Sequence, residues 1–530
     1  MPLQLFGDFG LAGGEDVAPN PLQETQMCVN FYAEVNKQNP KEILGLLGCP
    51  GLIQLGAAPG GGAPAFTAGM TAWALPSAIT GLPVRGMLDL PGGKQALVVI
   101  GTMLYVMDTS FNLTSVGTLL TSTGVVCMVA NNGVGYGVSG TVVGQVAIVD
   151  GPNGYFYNYL TSAFYQITDP SFLGADRVVC IDGWFVFNQP NSQAFYTPTQ
   201  AYGTTFGSYY ALKDGAPDNL ISIFANKEML WLLGERTSEV WYNAGGQFFP
   251  FQRLVGTLMQ TGCKAPHSVS RFNFEGQDGV IFFGRSERGE NVIIRTRGFS
   301  TDVVSTPAFG AEMSEFSRLG IRTDDAIGYT YQEDTHEFYV LNFPSADTTW
   351  VYDGQSTLLH KRRSYDPYAQ AWHRHRSNCY MNFAGMRIVG DYQCGAIYQL
   401  TRKAYTDAGW PLLAKRRSPH IWDKGERGRT FMASLQLDFT TGAGNQSGLG
   451  SNPQVGIAIS RDGGHTFGQR WFTGLGAVGQ ARARAMWRRL GFARDSIIDL
   501  EVIDPVPRDL VGATLRAFSS GYAGQDMRPW

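Results

Sequence analysis

Two histidines one residue apart, His373 and His375, come nearest to a metal site in this chain of 530 residues. On a strand, side chains two apart share a face, so both imidazoles could approach one Zn²⁺. A catalytic zinc needs a third protein ligand, and Asp366 and Cys379 stand at no recognisable spacing from the pair. The preferred reading is a solvated, partly basic strand on which Arg374 and Arg376 alternate with the histidines. His336-Glu337 opens like a zincin helix, but the fifth position is Val340 where that chemistry needs a second histidine. Gly133-Val-Gly-Tyr-Gly137 imitates a dinucleotide-binding turn, yet no strand–helix–strand unit follows it. There is no GxxxxGK[ST] phosphate cradle and no G-x-S-x-G nucleophile elbow.

The sharpest local motif is Ser460-Arg-Asp462-Gly-Gly464-His-Thr466-Phe467. It resembles the Asp box found on hairpins of sialidases and related propellers. Asp462 can accept backbone N–H bonds across the turn, Gly464 can take a positive φ, and Phe467 can anchor the loop by burial. The box stabilises a turn and is not itself a catalytic centre. A sialidase further needs three arginines around the substrate carboxylate and a tyrosine nucleophile with a glutamate partner, and no spacing here selects them. Basic clusters stand at Lys361-Arg362-Arg363, at Lys415-Arg416-Arg417 and at Arg482, Arg484, Arg488 and Arg489. Phosphate binding is one reading of them. Solvated loops or ion pairs, some within a subunit interface, are preferred because the net charge is -3. No catalytic, cofactor-binding or metal-ligating residue is therefore assigned.

The elements that position these residues follow a cadence. A short apolar strand, a polar turn and an aromatic-rich strand recur about every 50 residues, as in propeller blades. The hairpins run Leu97–Tyr105, Val146–Tyr157, Trp184–Tyr196, Met229–Trp241, Val280–Ile294, Glu337–Trp350 and Met386–Tyr398. One blade cannot bury both of its faces, so the repeats must close on one another. Composition agrees: Gly numbers 66, hydrophobic residues make up 44%, and charged residues only 16% against roughly 25% in an ordinary domain. So little charge implies surface covered by partners. Seven scattered cysteines without a CxxC read as reduced thiols. Neither a signal peptide nor an apolar run near 20 residues is present, so no membrane insertion is expected.

The expected fold is all-β: a propeller of six or seven blades with an added C-terminal sandwich-like domain and an extended N-terminal arm. Residues 1–55 form the arm and its first strand, Cys28–Tyr32, and residues 56–80 a Gly/Ala/Pro-rich loop. Residues 81–402 form the propeller, 403–430 a basic, irregular connector, and 431–530 the C-terminal β-domain. Its strands are expected at Phe431–Phe439, Gln454–Ser460, Arg484–Gly491, Ile497–Ile503 and Thr514–Phe518. On Arg484–Gly491 the charges share no single face, which predicts that some pair with neighbouring acids. Helical periodicity is scarce, and Ala311–Leu319 is the best candidate.

Several landmarks share an order with one family. They are Val29-Asn30-Phe31-Tyr32, then Pro50-Gly51-Leu52, Ser238-Glu-Val-Trp-Tyr-Asn-Ala-Gly245, Phe249-Pro-Phe-Gln-Arg253 and Gly262-Cys-Lys-Ala-Pro-His-Ser268. Farther on come Gly390-Asp391, Gly395-Ala-Ile-Tyr-Gln-Leu400, Ser460-Arg-Asp462-Gly463, Trp487-Arg-Arg-Leu-Gly491 and Asp504-Pro-Val506. In these the chain resembles the tail-hub, or packaged-DNA stabilisation, proteins of short-tailed bacteriophages, with extra material around 56–80 and 195–220. The resemblance implies a structural virion protein and not an enzyme, needing no cofactor. It implies a homohexameric ring, assembled in the bacterial cytoplasm, that sits in the tail below an adaptor ring. Such a hub, or nozzle, extends the DNA channel, helps retain the genome before ejection, and docks fibres or spikes and a tip or needle protein. Double-stranded DNA would pass without sequence recognition, so few arginines are expected to face the lumen. The alternatives are a tail-associated propeller glycosidase, which needs two carboxylates about 5–10 Å apart on the axis, and a carbohydrate-binding adhesin.

Overall fold

The computed structural model describes residues 5–7, 9–18, 20, 22, 24–35, 44–55, 82–131, 135–136, 142–246, 249–423, 428–442 and 444–519. The loop 56–80, most of the Gly133–Gly137 run, Lys424, Arg427 and the tail beyond 519 lie outside the described residues.

Each expected hairpin supplies the second and third strands of an antiparallel sheet. Gln95–Ile100 pairs with Met103–Asp108 in the first, and Met386–Asp391 with Ile397–Thr401 in the last. A strand precedes each hairpin and, in the first six, another follows it, which makes units over 84–118, 127–166, 178–212, 220–253, 262–303 and 327–361, the fifth with an extra strand, Ser270–Phe274, on Gln277–Arg285, and a seventh unit over 377–401. Their first strands touch in sequence round a ring: Val84–Asp89 meets Cys127–Ala130, which meets Val178–Ile181, and at the end Ser377–Phe383 returns to Val84–Asp89. The blade number is therefore seven.

Apolar cores lie between blades rather than within them. Leu97 and Val99 of the first blade pack on Val146, Ile148 and Tyr155 of the second. Val84 and Val98 pack on Met381, Phe383 and Ile388 of the seventh. A strand buried on both faces needs an unbroken apolar run, which is why Gln145–Asp150 (QVAIVD) is buried throughout. The seventh blade takes its fourth strand from the other end of the chain, Gly51–Leu55 lying antiparallel to Ile397–Thr401. Gly51 is required there, because a Cβ would collide with the carbonyl oxygens of Ala404 and Thr406.

The C-terminal strands build a sandwich. One sheet runs Ala485–Ala493, Thr430–Phe439, Leu510–Ser519, Leu44–Gly48 and Phe31–Val35, with Leu5–Gly7 also on Leu510–Ser519. The other runs Cys28–Val29, Ala414–Arg417, Asp495–Val502, Gln454–Ser460 and Trp471–Gly474. Leu435, Trp487 and Leu515 of the first sheet meet Ile457, Ile498 and Leu500 of the second in the shared core. The N-terminal segment thus extends across both bodies. Its expected strand Cys28–Tyr32 is broken at Asn30, which adopts φ 57°. The Asn30 amide donates to the carbonyls of Arg363 (2.8 Å) and Leu413 (2.7 Å) and accepts from the Arg363 N–H (2.9 Å). Asparagine tolerates this left-handed conformation better than most residues. Cys28–Val29 then pairs with Lys361 of the sixth blade, so propeller and sandwich share a continuous sheet.

Two expectations are corrected. The connector 403–430 is not irregular throughout: Ala414–Arg417 is a sandwich strand, with Arg416 turned inward and donating to the carbonyls of Leu11 (2.6 Å) and Gly14 (2.7 Å). The helix begins earlier than expected, at Pro307–Arg318, capped by Thr306. Pro at the first helical position is a start signal that the Gly-containing first turn obscures.

Candidate functional site

The residues singled out for metal chemistry do not converge. His373 lies on Ala371–Arg374 with Nδ1 2.8 Å from Asp347. His375 lies beyond that strand's end, its Nδ1 2.7 Å from the Ser377 hydroxyl, and burial pushes its imidazole down to about 4. Asp366 accepts the N–H groups of Tyr368 (2.8 Å) and Ala369 (3.1 Å) to cap its own turn, and the Cys379 thiol faces the Val84 carbonyl. Among the described residues, no cluster of three or more His, Cys, Asp or Glu is placed to hold a metal ion.

His336 is instead the centre of a clasp. Its Nδ1 lies 2.9 Å from Asp353 Oδ2 and its Nε2 2.7 Å from Glu34 Oε2. His336 and Asp353 open and close the hairpin of the sixth blade, whereas Glu34 belongs to the sandwich strand Phe31–Val35. Burial opposes a charge on the imidazole and is the largest single influence. The hydrogen bonds and charges of Asp353 and Glu34 together outweigh it and raise the His336 pKa above 6.5. Only the imidazolium donates from both nitrogens, so in its protonated form the clasp is an ionic bridge between the two bodies. The nearby His360 is buried beside Arg362 and stays neutral. No local spacing signals the clasp, because 302 residues separate Glu34 from His336.

A second buried device joins the first two blades. Arg85, only 1% exposed, donates to the carbonyls of Gly101 (3.0 Å), Thr121 (2.8 Å), Thr123 (2.6 Å) and Gly124 (2.8 Å) and pairs with Asp150 at 2.6 Å.

The Asp-box turn lies between Gln454–Ser460 and Trp471–Gly474. Asp462 accepts from the Ser460 hydroxyl (2.6 Å), the Thr466 hydroxyl (2.6 Å) and the Thr466 N–H (2.9 Å), which hold its carboxyl well below the usual range. Gly464 takes φ 96°, and Phe467 is half-buried beneath the Arg417 guanidinium at 4.5 Å. The geometry is that of a tied turn.

The basic clusters divide. Lys361 pairs with Glu312 (3.0 Å), Arg362 is buried against Tyr331, and Arg363 reaches over Trp372. Lys415 pairs with Glu501 (3.2 Å) and Arg417 with Asp499 (3.3 Å). Arg482, Arg484, Arg488 and Arg489 behave differently from the expectation of pairing: all four are exposed and, among the described residues, none forms an ion pair.

A polar cleft of about 610 Å³ opens where the turns between first and second strands of the fifth, sixth and seventh blades meet. Arg271, Asp278, Gln332, Glu337, Tyr380 and Arg387 line it. Its carboxylates already have partners: Asp278 pairs with Arg271 (2.7 Å), and Glu337 accepts the Asn273 N–H (2.8 Å) and the Gln332 amide (3.3 Å). Burial raises the Glu337 carboxyl nonetheless. Among the described residues, no helix is long and apolar enough to cross a membrane.

Solved structures similar to this one include two of the exo-beta-1,3-galactanase from Phanerochaete chrysosporium, one with beta-1,3-galactotriose and one with galactose. They are 11% and 10% identical, with TM-scores of 0.26 and 0.25, and each match covers 82% of this chain and 99% of that one. No curated protein matches the chain. A family model described as Bacteriophage P22 Gp10, beta-propeller, matches residues 94–405, and one described as Bacteriophage P22 Gp10, beta-sandwich, matches residues 415–517. With both bodies matched in order, the chain belongs to the bacteriophage P22 Gp10 family of phage stabilisation proteins.

Proposed function

We propose that this structural tail protein acts as the hub of a short phage tail. Six copies form a ring that continues the DNA channel below an adaptor ring, helps hold the packaged genome, and offers docking surfaces to fibres or spikes and to a tip protein. Family membership over both bodies is the observation that carries the reading. The subunit's build supports it: a closed seven-bladed block, tied to a sandwich by a shared sheet and the His336 clasp, keeps its shape under load.

Ring packing is supported by the rim of the first three blades. Between Asp108 and Asp169 the sequence holds one charge, Asp150, and it is buried against Arg85. On the same blades Leu120 is 65% exposed, Leu160 54% and Tyr210 60%. The outer strands Ala163–Gln166 and Tyr210–Leu212 leave sheet edges open. An uncharged, apolar edge left in water invites pairing with other chains, whereas depletion of charge is ordinary at the core of a subunit interface.

The non-enzymatic reading is supported by the family match, and in the cleft Asp278 pairs with Arg271 while Glu337 accepts the Asn273 N–H. The test is a nonsense mutation in this reading frame of the phage. Particles assembled without the chain should package DNA, lack the tail hub in electron micrographs, and leak their genome. Particles that keep complete tails and full heads would refute the proposal.

A further inference from the structure

We infer that the outer face of the larger sandwich sheet docks an acidic partner protein of the tail, one presenting apolar side chains flanked by carboxylates; the inference rests on the hub reading above. Cross-strand register places two rows side by side on this face. In one, Phe431 lies opposite Phe492 on one neighbour and Phe518 on the other, with ring centroids 5.2 and 5.3 Å apart. In the next, Ser434 lies between Arg488 and Arg516. The opposite face carries Leu435, Trp487 and Leu515 into the core, so these rows point outward. Phe492 is 47% exposed and Phe518 38%.

A register shift adds to the charge. Met432 pairs with Gly491 but Ser434 with Arg488, so the strand bulges between them, and Arg489 takes φ 59°. The bulge leaves both Arg488 and Arg489 exposed, where strict alternation would send one inward. Five arginines and no acid lie between Gln480 and Asp495. On the other sheet and its hairpin two arginines are paired: Arg470 reaches Asp499 at 2.7 Å and Arg417 reaches the same carboxylate. On this face Arg488 Nε donates to the Met486 thioether, at 3.4 Å, and neither Arg488 nor Arg516 forms an ion pair among the described residues.

Uncompensated positive charge calls for an anionic occupant. The aromatic row distinguishes which kind. A duplex held through its phosphates would leave three phenylalanines wet, whereas aromatic and arginine side chains side by side are the composition of protein–protein hot spots. A second copy docked face to face would set arginine against arginine.

The test is arginine labelling with phenylglyoxal, read by peptide mass spectrometry, on the purified chain, on intact virions and on virions emptied of DNA. Arg488 and Arg516 should react in the purified chain and at least about tenfold more slowly in both kinds of virion, as a desolvated interface requires. Protection lost on emptying would assign the face to DNA, and protection already present in a purified oligomer would assign it to a second copy; either overturns the inference. Equal reactivity everywhere overturns it too. Absence of the chain from the particles would refute the hub reading itself and the inference with it. The double variant R488E/R516E should keep the wild-type circular dichroism and melting profile yet fail to yield infectious particles; normal infectivity would overturn the proposal.

Discussion

Replacing His336 by glutamine tests how the two bodies are joined. In the wild type both ring nitrogens face carboxylate oxygens, at 2.9 Å from Asp353 and 2.7 Å from Glu34. The folded-state pKa is raised above 6.5, so the stabilisation is fully present below pH 6.5 and is lost as pH rises through the raised value. Deprotonation removes one of two charge-assisted hydrogen bonds, each about 1.5–3 kcal/mol when well formed. The Glu34 side chain is 33% exposed, so solvent screening reduces its share and the lower end, about 1.5 kcal/mol, is expected. His336→Gln carries no proton to lose. It should be about 2–3 kcal/mol less stable than wild type near pH 6, because Asp353 is left buried with a weaker partner. The difference should narrow above pH 6.5. The assay is urea unfolding by tryptophan fluorescence from pH 5.5 to 9, paired with hydrogen exchange of the strand Phe31–Val35. A constant difference across that range, or a difference that grows with pH, would refute the ionic clasp.

Arg85→Met removes the tie between the first two blades while leaving Asp150 buried without its cation; a loss of about 3–5 kcal/mol in urea unfolding is expected. The folded chain should resist alkylation by N-ethylmaleimide at pH 8 at Cys28, Cys180, Cys379 and Cys394, whose thiols burial pushes up to about 12; urea should expose them. The pair Leu160→Arg and Tyr210→Arg should leave the melting temperature within about 2 °C of wild type, because both side chains are exposed, yet abolish the six-chain species in sedimentation velocity, whether wild type forms it alone or on the adaptor ring.

The blades were legible because their second and third strands carry short runs of buried apolar and aromatic residues, as in Gln95–Ile100 and Gln145–Asp150. That pattern follows from blades packing on blades, and the seven hairpins read from it coincide with seven sheets. Their first and fourth strands were less legible, since they are shorter or half-exposed, as in Leu113–Thr118. The closing strand Gly51–Leu55 carries no local signal of its partner, because nothing near residue 51 records that Ile397–Thr401 lacks a neighbour. The Val29-Asn30-Phe31-Tyr32 landmark could be recognised as a pattern, but its physical role, an asparagine in a left-handed turn joining Arg363 to Leu413, needed the fold. The unpaired arginines went unseen for a similar reason. Reading Arg484–Gly491 as a regular strand splits its charges between faces, and the bulge at Arg489 removes that split.

The proposed hub closes a ring of subunits. Native mass spectrometry of the purified chain, alone and after mixing with its adaptor ring, tests it most directly. A ring should appear as a species of six chains of 57.9 kDa, about 350 kDa, formed alone or on the adaptor. A chain that stays at 57.9 kDa under both conditions would contradict it.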